Sequence, residues 1–318
     1  MTTVEQRQSP IRPDQVDLSV NLGSIQLANP IVTASGCFGS GREIDQFFDV
    51  TALGAVVCKS ITLEPRLGLP TPRMAETASG MLNAIGLQNP GIDRWLEEDL
   101  PWLQTRGVPT IVSIAGATVT EYRILAERLR GHAGIIAIEA NISCPNVEDR
   151  NTMFASRPDT TKAVIQAVTR VASLPVFAKL TPDVTDVVAI ADSARAGGAA
   201  GVSLINTLLG MAIDVEKRRP RLAAVTGGLS GPAIKPVAVR AIHQVHRALP
   251  ALPIIGMGGV RTVSDVVEFL LAGACAVAIG TATFANPLAA HQLVEALPRW
   301  LAAHGYASVR DLIGAVQL

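Results

Sequence analysis

Cysteine is scarce in this chain. Cys37, Cys58, Cys144 and Cys275 are the only four thiols in 318 residues, and no two of them form a CxxC pair. That scatter excludes a disulfide framework, argues against a zinc site and suits a reducing compartment. An excess of charge is missing as well. Lysine plus arginine and aspartate plus glutamate number 27 each, so net charge gives no reason to expect nucleic acid or an anionic membrane as a partner. No apolar run approaches the roughly 20 residues of a membrane-spanning helix. The stretch from Met1 to Asp14 is polar, holds two prolines and lacks the apolar segment of a signal peptide. Apolar residues themselves are plentiful, at 48 % of the chain, enough to bury a large core. These features predict a cytoplasmic globular protein: a flexible N-terminal extension over residues 1–15, then one domain over 16–318.

Residues 16–20 and 25–27 alternate apolar and polar side chains around Asn21-Leu22-Gly23-Ser24, the pattern of a β-hairpin. Beyond it one unit recurs eight times: a short apolar, β-rich run, a loop with small or hydrogen-bonding residues, then a helical stretch. The runs are 30–33, 55–58, 110–114, 135–138, 176–178, 201–205, 253–255 and 276–279. Helical patterns cover 118–130, 159–172, 183–196, 232–249, 263–271 and 287–304, with Pro232 and Pro287 in early-turn positions. Continuous apolar strands alternating with helices imply a parallel sheet covered on its outer face. Eight such units close a (β/α)8 TIM barrel, with the hairpin across its bottom, and place the active site where the strands end.

The residues at the end of each run therefore matter most. In chain order they are Ala34-Ser35-Gly36-Cys37, Lys59-Ser60, Ser113-Ile114-Ala115-Gly116, Asn141-Ile142-Ser143-Cys144-Pro145-Asn146, Lys179-Leu180-Thr181, Asn206-Thr207, Gly256-Met257-Gly258-Gly259 and Gly280-Thr281. Every end carries a glycine, a short hydrogen-bonding residue or a lysine. Glycine loops after strands seven and eight, ahead of the helices opening near Thr262 and Asn286, are the usual phosphate site of this fold. Gly227-Gly228-Leu229-Ser230-Gly231 could add a third set of backbone donors. A tight turn explains any one of these glycine pairs taken alone; three converging loops point to a phosphorylated ligand.

In the fourth end two carboxamides flank a thiol. Asn donates and accepts at once, which suits a flat heterocycle with alternating carbonyl and N–H groups, and a thiolate can take a proton. An ordinary strand-to-loop turn around a buried Cys remains the alternative from these residues alone. Lys59 and Lys179 each come directly after an apolar run. Either the ammonium groups snorkel to solvent, or one sits beside a ring that becomes anionic and the other beside a substrate carboxylate. None of the five histidines falls at a strand end.

The hexapeptide at 141–146, Met81-Leu82-Asn83-Ala84-Ile85-Gly86-Leu87-Gln88-Asn89-Pro90-Gly91, Ile205-Asn206-Thr207, and the stretch 226–236 from Thr226 through Gly231-Pro232 to Pro236 together resemble the dihydroorotate dehydrogenase family. The resemblance runs from Val16 to the C-terminus. Cys at 144 resembles the soluble class 1; the long segment around Gly86-Leu87-Gln88 and Gly210-Met211-Ala212-Ile213-Asp214 resemble its type B.

That resemblance implies FMN as cofactor, held by Ala34, Ser35, Gly36, Lys59, Ser60, Asn141, Lys179, Ile205, Gly231, Gly258, Gly259, Gly280 and Thr281. It implies dihydroorotate bound by Lys59, Asn83, Gly86, Leu87, Asn141, Asn146, Asn206 and Thr207, with Cys144 as the catalytic base. Dihydroorotate would lose a C5 proton to Cys144 and a hydride from C6 to the flavin. The implied partners are a second copy of the chain, giving a homodimer, and a subunit carrying FAD and a 2Fe-2S cluster that passes electrons to NAD. The stretch 147–154 departs from the family, being charged and bulky where a glycine-rich flap is common. A flavin barrel acting on another dihydropyrimidine such as dihydrouracil, a flavin-free lyase or isomerase for a phosphorylated substrate, and a non-catalytic partner subunit stay open from the residues.

Overall fold

The computed structural model describes residues 11–143 and 153–318. The chain opens with the hairpin β1 (Val20–Leu22) and β2 (Ile25–Leu27), whose two-residue turn places Gly23 at φ +62°. The first arm is shorter than its alternating pattern predicts, because Asp17 leaves the hairpin to bridge Ser308 near the other end of the chain. Val20, Leu22 and Leu27 are buried, and the turn lies against Pro253 and Ala200, the residues leading into two barrel strands. The hairpin thus closes the end of the barrel where the strands begin.

The remaining strands are β3 (Ile31–Thr33), β4 (Val56–Val57), β5 (Met74–Thr77), β6 (Gly80–Asn83), β7 (Thr110–Ile114), β8 (Ile135–Asn141), β9 (Val176–Lys179), β10 (Gly201–Leu204), β11 (Leu208–Gly210), β12 (Ile213–Asp214), β13 (Arg219–Pro220), β14 (Gly227–Ser230), β15 (Ile254–Met257) and β16 (Ala276–Ile279). Eight of them pair in parallel in the order β3-β16-β15-β10-β9-β8-β7-β4. The two edges of this sheet meet at a parallel bridge between Val32 and Ala55. Thr33 reinforces the seam: its hydroxyl donates to Val57 O at 3.0 Å and accepts from Val57 N at 2.8 Å. The expected TIM barrel is therefore the fold. Its strands are short and, apart from the half-buried Ile136 of β8, buried throughout, because the helices cover their outer faces and the inward side chains fill the centre.

The helices obey their local signals. Val119–Arg128 starts after Thr118, whose side chain accepts from Glu121 N, and buries Tyr122, Leu125 and Ala126 at helical spacing. Val187–Ala196 begins later than 183 because Asp186 caps Val188 and Ala189, while Asp183 accepts from Leu209 N instead.

Two features differ from the repeat expected of the sequence. β8 does not stop at Ile138 but continues through Glu139 and Ala140 to Asn141. A second sheet, antiparallel in the order β11-β14-β6-β5, comes from insertions after β4 and β10. Gly227–Ser230, expected as a loop of phosphate donors, is a strand of that sheet, and only Gly231 at its end opens the turn Pro232–Ile234. Its short, glycine-rich, half-exposed strands give almost no periodic signal. No helix among the described residues is long and apolar enough to cross a membrane.

Candidate functional site

A cavity of about 800 Å³ opens at the ends of the barrel strands, between the barrel and the second sheet. β3 delivers Ala34, Ser35 and Gly36 to its wall, β4 delivers Lys59 and Ser60, β8 Asn141, β9 Lys179, and β10 Ile205, Asn206 and Thr207. β15 and β16 add Gly258, Gly259, Gly280 and Thr281. The second sheet contributes Asn83, and the segments leaving its strands β6 and β14 contribute Leu87 and Gly231. Gly86 stands between the lining residues Ile85 and Leu87 but is not itself in the wall. Cys144 and Asn146 lie outside the described residues.

The carboxamides are fixed by hydrogen bonds. Asn141 is buried; its Nδ2 donates to Ser60 Oγ at 3.0 Å, and its backbone carbonyl accepts from Tyr122 Oη at 2.6 Å. Asn206 Nδ2 donates to Ser143 Oγ at 3.0 Å and reaches Asn141 Oδ1 at 3.4 Å. Asn83 Nδ2 donates to Gly228 O at 3.3 Å across the second sheet, where Asn83 is paired with Gly228. A Cβ on Gly228 would fall 2.1 Å from Thr207 Oγ1, so this close approach of sheet to barrel needs glycine. Leu87 holds a positive φ of 56°, a strained conformation for a non-glycine residue. Asn89 braces it, donating to Leu87 O at 2.7 Å and accepting from Thr62 N and Gly91 N.

Lys179 is 5 % exposed. Its Nζ donates to Ser35 Oγ at 3.0 Å and lies 3.7 Å from Glu139 Oε1. Cys37, a thiol in the cavity wall, is a poor proton acceptor near neutral pH. Burial pushes it up to about 11, against the pull of the Lys179 and Lys59 ammonium groups.

The glycine loops form a cradle. Gly231, Gly258 and Gly259 have φ values of +97°, +126° and +85°. A Cβ on Gly259 would sit 2.8 Å from Gly231 O, and one on Gly231 would sit 2.6 Å from Gly80 Cα. Thr281 Oγ1 donates to Ser230 Oγ at 2.7 Å, joining the loop after β16 to the end of β14. This leaves backbone exposed where a side chain cannot fit, the requirement for close approach to an anion. The helix Val263–Ala272 is not a bare donor set, contrary to the expectation for its opening: Asp265 accepts from Arg261 N and Thr262 N, and Thr262 caps Asp265 N.

Several wall residues carry no sequence signal of their own. Met74, Glu76, Thr77, Ser79 and Gly80 come from β5–β6, and Arg261 and Phe284 from the rim. Glu139, buried behind the wall rather than in it, carries a visible one, a carboxylate inside an otherwise apolar run.

A (β/α)8 barrel with carboxamides, ammonium groups and a glycine cradle gathered at its strand ends is an enzyme built to hold a flat polar ring and an anionic group. The dihydroorotate dehydrogenase family profile matches residues 17–301. The chain is 52 % identical over 297 residues to "Dihydroorotate dehydrogenase B (NAD(+)), catalytic subunit" of Bacillus pumilus, covering 93 % of this chain and 96 % of that protein. It is 52 % identical over 295 residues to the protein of the same name from Listeria monocytogenes, covering 93 % and 97 %. The crystal structure of Eimeria tenella DHODH in complex with ferulenol superposes with a TM-score of 0.77 at 22 % identity, over 99 % of this chain and 91 % of that one. The chain belongs to the dihydroorotate dehydrogenase family. It is an oxidoreductase that converts dihydroorotate to orotate in pyrimidine biosynthesis.

Proposed function

We propose that the chain is the FMN-binding catalytic subunit of a two-subunit dihydroorotate dehydrogenase that delivers electrons to NAD. The observation that carries the cofactor is the fit of the cradle: Gly231, Gly258 and Gly259, all with positive φ, line a cavity of about 800 Å³, within the range of small-molecule and cofactor sites. Gly231, Gly258, Gly259, Gly280 and Thr281 would hold the phosphate, and Ala34, Ser35, Gly36, Ser60, Ile205 and Lys179 would border the ring. Bound FMN would supply the hydride acceptor for the hydrogen leaving C6.

The chain's own residues do the rest. Asn83, Asn141 and Asn206, with Asn146 and Thr207, bind the carbonyl and N–H groups of the pyrimidine. Leu87 offers a backbone contact, and Gly86 turns the chain into it from outside the wall. Holding the ring in one orientation converts an encounter into an intramolecular reaction, the larger part of what these side chains contribute. Lys59 neutralises the substrate carboxylate, and Lys179 places positive charge where negative charge develops. Cys144 takes the C5 proton as thiolate.

The two-subunit reading is supported by the relatives' printed names, each a "catalytic subunit" with "NAD(+)". The chain also lacks the GxGxxG unit of a dinucleotide site and a cysteine set for an iron–sulfur cluster. The electrons would pass to a partner carrying FAD and a 2Fe-2S cluster, docked on a homodimer of this chain. The test is an absorbance spectrum of the purified chain, repeated after anaerobic addition of dihydroorotate. A flavin band that bleaches, with FMN released on denaturation, is the expected result. Recovery of FAD, or of no flavin after reconstitution, would overturn the assignment.

A further inference from the structure

Glu139 is the one acidic residue among the described residues that is fully buried, at 0 % exposure, on the inner face of the barrel beneath the cavity. Its surroundings are not those of a carboxylate kept for structure. Oε1 accepts from Ser113 Oγ at 3.0 Å and faces Lys179 Nζ at 3.7 Å, but Oε2 has no hydrogen-bond partner among the described residues. Buried carboxylates that serve only stability have their lone pairs filled, since an open one carries a desolvation cost. Ser203, in register with Lys179 on the neighbouring strand, likewise has a buried hydroxyl without a partner among the described residues. Among the described residues the polar layer beneath the site is therefore incompletely satisfied around the Glu139–Lys179 pair.

A carboxylate only accepts hydrogen bonds, and this sets the direction of the chain leading from it. Ser113 donates to Glu139, so in the 2.8 Å contact between the two hydroxyls Ser60 must donate to Ser113. Ser60 is then left to accept from Asn141 Nδ2 at 3.0 Å. The amide of Asn141 is thereby turned so that Oδ1 faces Asn206 and the substrate side. The same carboxylate offsets the Lys179 ammonium, so the pair next to the ring carries no net charge. Both partners lie out of water, where such a charge is weakly screened.

We propose that Glu139 is a positioning residue for the reaction, balancing Lys179 and setting the polarity of the Ser113–Ser60 chain that orients Asn141. This rests on the flavin reading above. Loss of the negative charge leaves Lys179 uncompensated beside a ring that becomes anionic on reduction, so the reduced form gains over the oxidised form. The sign is specific: a packing defect would loosen flavin without favouring its reduced state.

The test is the flavin midpoint potential, with the affinity of the apoprotein for oxidised FMN and the KM for dihydroorotate. For Glu139→Gln, the ratio of reduced to oxidised flavin affinity should rise about tenfold or more, an upward shift of about 30 mV for a two-electron couple. Its KM should rise about tenfold, since an amide at 139 can donate to Ser113 and reverse the chain. Glu139→Asp keeps the charge and should hold the potential near the wild-type value. Glu139→Met removes the charge at similar length and reads the same shift should the Gln variant not fold. An unchanged or lowered potential in a charge-removing variant that still binds flavin overturns this inference alone. A wild-type chain that binds no flavin overturns the flavin reading with it, and is seen before any variant is made.

Discussion

Gly259→Ala tests the cradle most directly. Gly259 has φ +85°, and an L-residue with a side chain loses about 1–2 kcal/mol in left-handed backbone. The new Cβ would also stand 2.8 Å from Gly231 O, 3.0 Å from Lys235 Cβ and 3.1 Å from Lys235 N. The nearest of these is backbone and cannot swing away, which adds about 1 kcal/mol, the low end for overpacking. Without ligand the loop can relax away from Gly231, relieving most of this strain. Binding a phosphate requires the two loops to come back together, so the cost falls on binding. About 2–3 kcal/mol corresponds to roughly 30- to 150-fold weaker FMN binding, measured by fluorescence titration of the apoprotein. Gly107→Ala is the matched control. Gly107 has φ +68° but open space around its missing Cβ, and it ends the helix Leu100–Arg106 away from the cavity. It should lower stability by about 1 kcal/mol and leave FMN affinity unchanged. An unaltered FMN Kd in Gly259→Ala, or equal losses in both variants, would refute the cradle.

Cys144→Ala should retain flavin but slow its anaerobic reduction by dihydroorotate roughly 100-fold or more in stopped flow. Cys37→Ala should be mild, because burial holds that thiol up to about 11 and protonated across neutral pH; a large Cys37 effect would reassign the base. Lys235→Met should lower Tm by about 2 °C, for about 1 kcal/mol lost from the partly exposed bridges to Asp265 and Glu268 at 2.7 and 2.6 Å. Hydrogen bonds to those carboxylates raise the Lys235 pKa. The wild-type advantage should therefore be full below the unfolded value of about 10.4 and vanish as pH rises through the higher folded value; a gap that persists there would contradict it. The pure chain should show negligible dihydroorotate-dependent NAD reduction until an FAD and iron–sulfur partner is added. Fast turnover by the chain alone would refute the two-subunit reading.

Much of the barrel was legible because its signals are local. The runs at 110–114 and 276–279 coincide with β7 and β16, since strands buried on both faces are written as unbroken apolar stretches. Thr118 carries a cap visible within four residues, and the helix expected from it begins at Val119, whereas the one expected from 183 begins only after the cap at Asp186. Lys59, Lys179, Asn141 and Asn206 could be placed at the mouth because a strand end is a local feature and the barrel puts all such ends on one side.

The second sheet was not legible. β5, β6, β11 and β14 are short and half-exposed, and their pairing spans distances such as Asn83 to Gly228, which no periodicity encodes. Glu139 shows the same limit at one residue. As sequence it marks the end of an apolar run; in the structure β8 carries it two residues further, and alternation turns it into the barrel. The amino-acid order by itself determined the eightfold alternation and the chemistry carried at each strand end, because burial pattern, caps and turn residues act within one element. Only closure of the barrel decided that Glu139 faces Lys179, that Ser60 joins Ser113 to Asn141, and that Asn83 enters the wall from a separate sheet. Those contacts depend on register and stagger between strands far apart in the chain, which are set when the whole core packs together.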